Sequence, residues 1–531
     1  MVWEHLFRIW WCLLVLLLLL EAVDAFASSS ARRGGGSTTS TRIIWLAAAT
    51  TTTPTEQQQQ HTVPWLIVGG GPTGVHIAAR LCRTAATTTA ADDTTTLIVV
   101  DDGPRLLHGW TQRTAATGMT YLRSSASQHL DVPDDDSLRR FAASVVVVRG
   151  RQKDASLAAD YQRPRLDVFQ AHCEHVIAKY GLADRHVQGR VVDIYVDDDD
   201  DSVVRVRVQQ PEDGSIVELS ANHVVLALGN AAPVIPDWVT TEDVRGRVRH
   251  ILDYENHDDD DHSSTNDQHH SDPRPRSVAI VGGGMSAAHL ALRLTRSGSS
   301  SSSSATTIHM ICRHALREQQ FDTHQDWMMD AAAAVRSAAG GGQGVPRRQR
   351  QFASLRRDAV TARRRTIQRE RRGGTISAAV HRGKDGLRYA IEQGRVHWHE
   401  GAVQSVSFDD DGDDMLRLYL STGDEVVVEE VILATGFSRD PPGKHLVHTL
   451  AARYGAKLSP CGYPIPDQQL RWHDRIFVAG ALAELEIGPS ARNIAGARIA
   501  AERIAAAAVA EGTSTVSLAV ATSNQSPAAS H

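Results

Sequence analysis

Two short apolar runs, residues 66–68 and 278–281, each precede a glycine-rich turn and a stretch with apolar residues at helical spacing. Counted from Val75, apolar side chains recur at i, i+3, i+4 and i+7, which gives a helix one face to pack on a sheet. The second stretch repeats the pattern between Leu290 and Leu294. These patterns predict two strand–turn–helix units and an α/β fold class built on parallel sheets.

The turn after each strand carries glycines at the spacing of dinucleotide-binding folds. The first turn reads G-x-G-x-x-G and the second reads G-x-G-x-x-A. Such a turn brings the N–H groups of a helix N-terminus to a pyrophosphate, and glycine leaves no Cβ in the way. A glycine-rich turn alone is a weak signal, but the strand before it and the helix after it favour two dinucleotide sites. The candidate contacts are Gly69, Gly71, Pro72 and Gly74 in the first turn and Gly282, Gly284 and Ala287 in the second.

The strand that follows each helix ends beside a charged residue. Asp101 closes the first of these strands, where dinucleotide folds place the acid that binds a ribose hydroxyl. Its distance from Gly74 exceeds the usual ~20 residues, because a threonine-rich insert at residues 87–96 lengthens the turn. Arg313 holds the second position, and a guanidinium there suits a 2′-phosphate, which favours NADPH over NADH. A solvated loop acid and a surface arginine without a ligand remain the alternatives.

Short β-branched segments alternate with aspartate-rich turns elsewhere in the chain. Residues 191–219 and 396–428 predict antiparallel β-meanders, which close on glycine-containing strands at residues 223–229 and 431–437. This repeated plan predicts two Rossmann-like domains, one inserted in a discontinuous outer one. The predicted boundaries are 63–255 and 431–510 for the two parts of the outer domain, 274–430 for the inserted domain, 256–273 for a disordered linker and 511–531 for a disordered tail.

A third strand ending in glycine lies near the C-terminus. Residues 476–480 form an apolar run that ends at Gly480, and a helical pattern containing Asn493 begins shortly afterwards. A strand followed by a helix N-terminus directs the positive end of a helix dipole at an electron-rich group, such as the pyrimidine edge of a flavin. Gly480 and Asn493 are therefore candidate cofactor contacts.

Length and composition exclude several classes of protein. A chain of 531 residues predicts two or three folded units. The net charge of −6 owes much to two aspartate runs, so no nucleic-acid partner is indicated. The five cysteines are far apart and form no C-x-x-C pair, which argues against a disulfide scaffold or a dithiol redox centre, and no metal site is predicted. An arginine-rich stretch at residues 347–372 keeps a helical apolar face, which predicts a solvated surface helix.

The N-terminus has the composition of a targeting segment. Residues 1–27 combine a basic residue, a short apolar run and small residues suitable for cleavage, which predicts a signal peptide. Residues 28–62 are rich in Ser, Thr, Ala and Gln and hold a single acid, as transit peptides do. The pair resembles the bipartite presequences of algae with complex plastids. Plastid import, with no membrane span in the mature form, is therefore predicted, and secretion to the endomembrane lumen or an uncleaved anchor is the alternative.

Two further motifs resemble those of a known enzyme family. Residues 434–437 (A-T-G-F) resemble the strand end A-T-G-[FY] and make Gly436 a candidate contact. Residues 246–254 resemble the signature F-x-G-x-x-x-H-x-x-x-[WY], with Val244 in place of its phenylalanine. With the two glycine turns, the chain from 65 to 508 is similar to the two-dinucleotide-binding flavoproteins. Within them it resembles the class B flavoprotein monooxygenases, including the N-hydroxylating ornithine and lysine enzymes.

The resemblance implies that the first glycine turn and Asp101 bind FAD, and that the second turn and Arg313 bind NADPH. It implies that NADPH reduces the flavin, that the reduced flavin takes up dioxygen as a C4a-hydroperoxide, and that a nucleophilic amine or sulfide is hydroxylated. The expected partners are a small-molecule substrate and dioxygen. No catalytic side chain is required, and His250 is interpreted as a hinge or domain-contact residue.

Two other functions stay open at this point. A reductase of the same fold would pass electrons from NAD(P)H to a quinone or a protein, and a non-catalytic module would only bind nucleotides. The substrate is not defined by the sequence, because the pocket of this architecture is built from loops at the domain cleft. The oligomeric state is not predicted either.

Overall fold

The computed structural model describes residues 62–88, 97–149, 156–239, 246–254, 277–297, 306–324, 327, 354–408 and 415–523. The predicted signal peptide, nearly all of the transit-like segment and the predicted linker lie outside these residues. Within them the fold rests on two parallel sheets, one for each predicted strand–turn–helix unit. The predicted α/β class is therefore confirmed.

Strands and helices take their numbers in chain order. The strands are β1 (Val63–Val68), β2 (Leu97–Asp101), β3 (His186–Gln188), β4 (Arg190–Val196), β5 (Val204–Gln209), β6 (Ile216–Leu226), β7 (Val248–His250), β8 (Ser277–Val281), β9 (Thr307–Cys312), β10 (Arg317–Glu318), β11 (Thr375–Ile376), β12 (Val396–Glu400), β13 (Val403–Phe408), β14 (Leu416–Leu420), β15 (Glu425–Val428), β16 (Glu430–Leu433), β17 (Arg471–His473) and β18 (Ile476–Val478). The helices are α1 (Pro72–Thr88), α2 (His108–Thr117), α3 (Ser137–Arg149), α4 (Leu166–Lys179), α5 (Met285–Ser297), α6 (Val360–Glu370), α7 (Ala378–Arg382), α8 (Leu387–Glu392), α9 (Lys444–Tyr454), α10 (Glu484–Ile487) and α11 (Ile494–Ser523).

The outer domain is built on a sheet with the strand order β17-β18-β6-β1-β2-β3. β1 lies in its middle and pairs in parallel with β2 on one side and β6 on the other. Leu66 and Ile67 of β1 are fully buried, because a parallel sheet is covered on both faces. α1 packs against α11, and Ala78 and Ala79 of α1 are fully buried.

β6 belongs to two pairing patterns. It pairs antiparallel with β5, which pairs with β4, and its C-terminal part pairs in parallel with β1 and β18. The last strand of the first predicted meander and the strand predicted after it form one continuous strand, β6, because no glycine or proline interrupts residues 216–226. The second predicted meander forms a separate three-stranded sheet of β13, β14 and β15.

The inserted domain has a parallel sheet with the order β12-β9-β8-β16-β7, and this sheet changes two predicted boundaries. β7 was predicted in the outer domain and pairs with β16 instead. β16 lies mostly beyond the predicted boundary at residue 431, yet it sits between β8 and β7. Val431 and Ile432 are fully buried, as residues of a central parallel strand are. The chain therefore crosses between the domains before β7 and after β16.

Part of the chain between β10 and β11, namely Trp327 and residues 354–371, packs on the outer domain and is called the excursion. Trp327 and Leu355 join the hydrophobic core of the outer domain, and Ile367 packs with Tyr463 and Leu485. β10 and β11, which lie before and after the excursion, pair in parallel within the inserted domain. The inserted domain is therefore connected to the outer domain by the excursion as well as by the two crossing segments.

The arginine-rich stretch is not the solvated helix that its composition predicts. α6 and the residues before it face Glu484 and Glu486, which are 1% and 4% exposed. Arg364 pairs with Glu484, and Arg356 Nε lies 2.5 Å from Glu486 Oε1. The Arg364 guanidinium also lies 4.3 Å from the centre of the Tyr463 ring. Since ionised carboxylates are rarely buried without partners, these arginines serve to bind the excursion to the outer domain.

The last helix continues beyond the predicted end of the outer domain. α11 extends to Ser523, whereas a disordered tail is predicted from residue 511. Residues 505–523 contain no proline and a single glycine, so no strong stop signal ends the helix earlier. The Glu511 carboxylate pairs with Arg471 and lies 2.8 Å from His223 Nε2. Across the described residues, no helix has both the length and the apolar character needed to cross a bilayer.

Candidate functional site

The first glycine turn forms a cradle between the end of β1 and the first turn of α1. Gly69 has a φ of +112°, and a Cβ there would lie 2.3 Å from the carbonyl oxygen of Ala227. A Cβ on Gly74 would lie 1.8 Å from the carbonyl oxygen of Gly69. A Cβ on Gly71, in contrast, would meet no atom within 4 Å. Gly71 therefore faces open space at a helix N-terminus, as a pyrophosphate site requires.

Pro72 and Asp101 complete this cradle. Pro72 is the first residue of α1, a position where the missing N–H costs no helical hydrogen bond. Asp101 Oδ2 accepts a hydrogen bond from the backbone N–H of Gly70 at 2.6 Å, and Oδ1 accepts one from Gly103 at 3.0 Å. The carboxylate lies at the predicted place and fixes the glycine turn. Each oxygen retains acceptor capacity for a ribose hydroxyl.

The C-terminal part of the outer domain adds two predicted contacts. Gly480 has a φ of +59°, and its Cβ position lies 3.7 Å from Oγ1 of Thr73 in α1. Asn493 caps α11, since its Oδ1 accepts a hydrogen bond from the backbone N–H of Gly496 at 3.1 Å. Asn493 Nδ2 is buried and has no hydrogen-bond partner in the described ranges. A buried amide donor of this kind fits an acceptor on a ligand.

The second glycine turn repeats this geometry at the end of β8. Gly282 has a φ of +143°, and a Cβ there would lie 2.3 Å from the carbonyl oxygen of Ala434. The nearest atom to a Cβ on Gly284 would be the Cα of Gly374, at 3.8 Å. Ala287 is fully buried on α5, where the first turn has its third glycine. The second cradle is therefore also suited to a dinucleotide.

The tip of β9 differs from the tip of β2. Arg313 follows β9 and is exposed, and it forms no hydrogen bond or ion pair within the described part of the chain. Cys312 beside it is 4% exposed, and its Sγ lies 2.4 Å from the Cβ position of Gly283. Burial raises the pKa of the Cys312 thiol, so this side chain is a packing residue. Arg313 is free to bind an anionic group at the mouth of the second cradle.

The two segments that connect the domains form hydrogen bonds with each other. The backbone N–H of Val234 donates to the carbonyl of Gly436 at 3.0 Å, and that of Ser438 donates to Ala232 at 2.8 Å. Thr435 Oγ1 donates to the carbonyl of Val234 at 2.5 Å. Gly436 has a φ of +81°, and a Cβ on it would meet no atom within 4 Å. The crossing is therefore a small antiparallel bridge with open space at its glycine.

His250 lies beside this bridge, at the end of β7, and is 3% exposed. Its Nδ1 accepts a hydrogen bond from the backbone N–H of Leu252 at 3.3 Å, which caps the short turn Ile251–Asp253. Burial lowers the pKa of His250, and Asp253 and the backbone of Gly436 oppose this effect. A neutral, buried imidazole fits the predicted domain-contact role better than acid–base catalysis.

No local pattern in the sequence marks Arg123, whose side chain spans the domain boundary. Its hydrogen-bond partners Gln320 and Asp322 follow it by 197 and 199 residues. The buried acids Glu484 and Glu486 are equally hidden, because partners such as Arg364 and Arg356 lie more than 100 residues earlier in the chain. Ion pairs and hydrogen bonds between residues so far apart in the sequence cannot be predicted from the pattern of charges along the chain.

Comparison with known proteins places the chain in a family. A model of the FAD-NAD(P)-binding family matches residues 66–231 and 279–438, which is more than half of the chain. The chain belongs to the FAD-NAD(P)-binding family. A second model, for L-lysine 6-monooxygenase/L-ornithine 5-monooxygenase, matches residues 160–328 of this flavoprotein. No curated protein matches the sequence.

Solved structures share the fold of this flavoprotein. The ornithine N-hydroxylase KtzI of Kutzneria sp. 744 has a TM-score of 0.61 at 19% identity, covering 84% of this chain and 99% of its own. The ornithine hydroxylase PvdA of Pseudomonas aeruginosa has a TM-score of 0.60 at 18% identity, covering 84% and 98%. The cadaverine monooxygenase DfoA of Erwinia amylovora has a TM-score of 0.57 at 14% identity, covering 84% and 95%.

The two cradles and the family match identify a flavoprotein with binding sites for FAD and NAD(P), and its similarity to lysine and ornithine monooxygenases extends over residues 160–328. The predicted resemblance, the two dinucleotide-binding domains and the two cofactors are thereby confirmed. The open space at Gly71 and the buried, unpartnered amide of Asn493 fit FAD in the outer domain. The assignment of individual contacts stays a prediction.

Proposed function

We propose that this flavoprotein uses NADPH and dioxygen to hydroxylate the amine nitrogen of a small molecule. The observation that carries the proposal is the lysine and ornithine monooxygenase match over residues 160–328, in a chain with two complete dinucleotide cradles. The similar structures are described as ornithine hydroxylases and a cadaverine monooxygenase. A primary amine at the end of an aliphatic chain is the group that these substrates share.

The proposed roles of the residues follow from the two cradles. Gly71 and the first amides of α1 hold the pyrophosphate of FAD, and Asp101 holds a ribose hydroxyl. Asn493 Nδ2 supplies a buried donor to the same cofactor. Gly284 and the first amides of α5 hold the pyrophosphate of NADPH, and Arg313 binds its 2′-phosphate.

The protein positions the cofactors and excludes water from the reaction, and it supplies no reactive side chain. When bound, FAD supplies the chemistry of hydride acceptance and dioxygen activation. The bridge between Val234 and Gly436 fixes the path of the chain between the domains. Coupling of NADPH oxidation to hydroxylation requires that water is kept from the reduced flavin, and the buried contacts of the excursion stabilise the outer domain that would hold it.

Product analysis tests the proposal. The purified holoprotein is incubated with NADPH and isotopically labelled dioxygen in the presence of L-ornithine, L-lysine, cadaverine or a thioether. One of the amines should accelerate NADPH oxidation and gain one labelled oxygen as a hydroxylamine. If every amine is inert and the enzyme reduces a quinone rapidly without oxygen insertion, the acceptor-reductase function is correct instead.

We also propose that residues 1–62 direct the protein to a plastid, on the basis of their composition. A fusion of these residues to a fluorescent protein should enter the plastid of an alga with complex plastids. Fluorescence retained in the endomembrane lumen or secreted would contradict this localisation.

A further inference from the structure

The Arg123 side chain crosses from the outer domain to the inserted one. Its Nε donates to the carbonyl of Gln320 at 2.8 Å, and its Nη1 donates to Asp322 Oδ1 at 2.7 Å. Its Nη2 donates to Thr375 Oγ1 at 3.2 Å and also to the carbonyl of Gln319. The side chain is 13% exposed. All these acceptors belong to the inserted domain, so one guanidinium binds its surface at several points.

The loop that carries Arg123 is anchored in the outer domain. The backbone N–H of Leu122 donates to the carbonyl of Pro164 at 2.9 Å, and the Leu122 carbonyl accepts from Arg163 Nη1 at 3.2 Å. Leu122 itself is 5% exposed. The backbone at Arg123 is therefore fixed in the outer domain. Through its hydrogen bonds, the guanidinium holds its acceptors at a fixed place relative to that domain.

The acceptors are part of the wall of the second cradle. Thr375 lies in β11, and the backbone N–H of Gln319 donates to the carbonyl of Ile376 at 2.9 Å. Gly374, directly before Thr375, has its Cα 3.8 Å from the Cβ position of Gly284. The fork formed by Arg123 thus connects the outer domain to the residues that border the proposed NADPH site.

A hydrogen bond between α2 and α5 also crosses the domain boundary. Arg293 Nη1 donates to the carbonyl of Ala115 at 3.1 Å, but this contact is exposed. An exposed bond to one carbonyl fixes an orientation less well than several bonds from a planar group.

We propose that Arg123 is a positioning residue that sets the orientation of the inserted domain for hydride transfer from NADPH to FAD. Transfer requires the donor and the acceptor at close range, and a misplacement of about 1 Å can slow a reaction by about 100-fold. The inference rests on the two cofactors and not on the identity of the substrate.

Anaerobic stopped-flow reduction of the flavin by saturating NADPH tests this role. Arg123→Ala should slow flavin reduction at least about tenfold, while FAD content and the Kd for NADP⁺ stay close to the wild-type values. Asp322→Asn should cause a smaller loss, because the other acceptors remain. Arg123→Lys should restore part of the rate, since an ammonium keeps the Asp322 pair but not the fork.

The control is Arg382→Ala. Arg382 pairs with Glu318 at 2.6 Å on the same segment, but both residues belong to the inserted domain. This variant should reduce flavin at the wild-type rate. Hydrogen exchange of residues 317–322 should increase in Arg123→Ala and show whether the contact is released.

Two results would overturn the proposal. Arg123→Ala and Asp322→Asn could both reduce flavin at the wild-type rate, or the rate could fall only in proportion to lost FAD. If Arg123→Ala does not fold, Arg123→Lys and Asp322→Asn decide by the same criterion. No amine is present in the flavin-reduction experiment. Its result can therefore be interpreted even if the protein does not hydroxylate amines.

Discussion

The two glycine cradles share a backbone and differ in their surroundings. In each, a Cβ on the first glycine would lie 2.3 Å from the carbonyl oxygen of an alanine, Ala227 in the outer domain and Ala434 in the inserted one. The outer cradle has a carboxylate, Asp101, tied to two backbone N–H groups. At the equivalent place the inserted cradle has Arg313, which is exposed.

With FAD in the outer cradle and NADPH in the inserted one, as proposed, this difference separates a retained cofactor from an exchanging one. The outer cradle is bordered by Gly480 and by the capped start of α11, so its ligand is enclosed by elements distant in the chain. An exposed arginine at the inserted cradle can attract an anionic cofactor and release it again. On the proposed assignment, the same backbone motif serves two functions, and the side chains at the strand tips distinguish them.

The largest expected effect is that of Gly74→Ala. The new Cβ would lie 1.8 Å from the carbonyl oxygen of Gly69, so the backbone of α1 or β1 must move. Overpacking usually costs about 1–3 kcal/mol, and we expect a destabilisation at the top of that range or above it. Thermal unfolding measures the loss. Gly109→Ala, where the new Cβ makes ordinary contacts, is the matched control and should leave the melting temperature nearly unchanged.

The second effect concerns Asp101→Asn. Hydrogen bonds to a charged group contribute about 1.5–3 kcal/mol each, and both bonds of Asp101 are weakened by the amide. We expect FAD to bind at least about tenfold more weakly, measured by titration of the apoprotein. Asp102→Asn is the control, because the Asp102 side chain is 69% exposed. Equal losses for both variants would contradict the role of Asp101.

A smaller effect is expected for Arg313→Ala, and only with one nucleotide. Loss of the guanidinium should raise the KM for NADPH about tenfold, about 1.4 kcal/mol, and should leave the KM for NADH almost unchanged. Steady-state kinetics with both nucleotides provide the measurement. Arg388→Ala, which removes an exposed pair with Glu392 in α8, should change neither value. Equal losses with NADPH and NADH would exclude 2′-phosphate binding.

The smallest effect is the pH-dependent one of His289 on α5, which is compared with His76 at the equivalent position on α1. Burial lowers the pKa of His76 to about 3 and that of His289 to about 4. The unfolded chain then binds more protons than the folded one, so stability falls as pH decreases below 6.5 towards these values. His289→Leu should remove about 1 kcal/mol of that loss at pH 5.5.

His76 gives the contrasting result at neutral pH. Its Nδ1 donates to the carbonyl of Leu130 at 2.7 Å, whereas His289 Nε2 has no partner among the described residues. His76→Leu should therefore cost about 1–3 kcal/mol at pH 7.5, and His289→Leu should cost little. Urea unfolding at both pH values measures the two contributions. A pH-independent stability in the wild type would contradict both assignments.

The sequence predicts the cradles well because each is local. A strand, a glycine turn and a helix lie within about 20 residues, and the glycine spacing reports a steric requirement at the backbone. The meanders are likewise visible as alternating β-branched residues. Asp101 is found at its predicted place because it directly follows an apolar strand.

Features that depend on distant residues were not predictable from local patterns. β7 and β16 join the inserted sheet because each finds a strand partner there. The arginine-rich stretch reads as solvated, since nothing along the chain indicates that Glu484 and Glu486 are buried against it. Arg123 is a single arginine in a polar loop, and its importance appears only when the two domains meet.

The measurement that tests the account most directly is anaerobic flavin reduction in three proteins, the wild type, Gly71→Ala and Gly284→Ala. The wild type should contain FAD that NADPH reduces. Gly71→Ala should fold but lose FAD, and Gly284→Ala should keep FAD but respond only to much higher NADPH. A wild-type protein that is colourless and cannot be reconstituted with FAD, or a loss of FAD in Gly284→Ala with none in Gly71→Ala, would contradict the assignment of the two cradles.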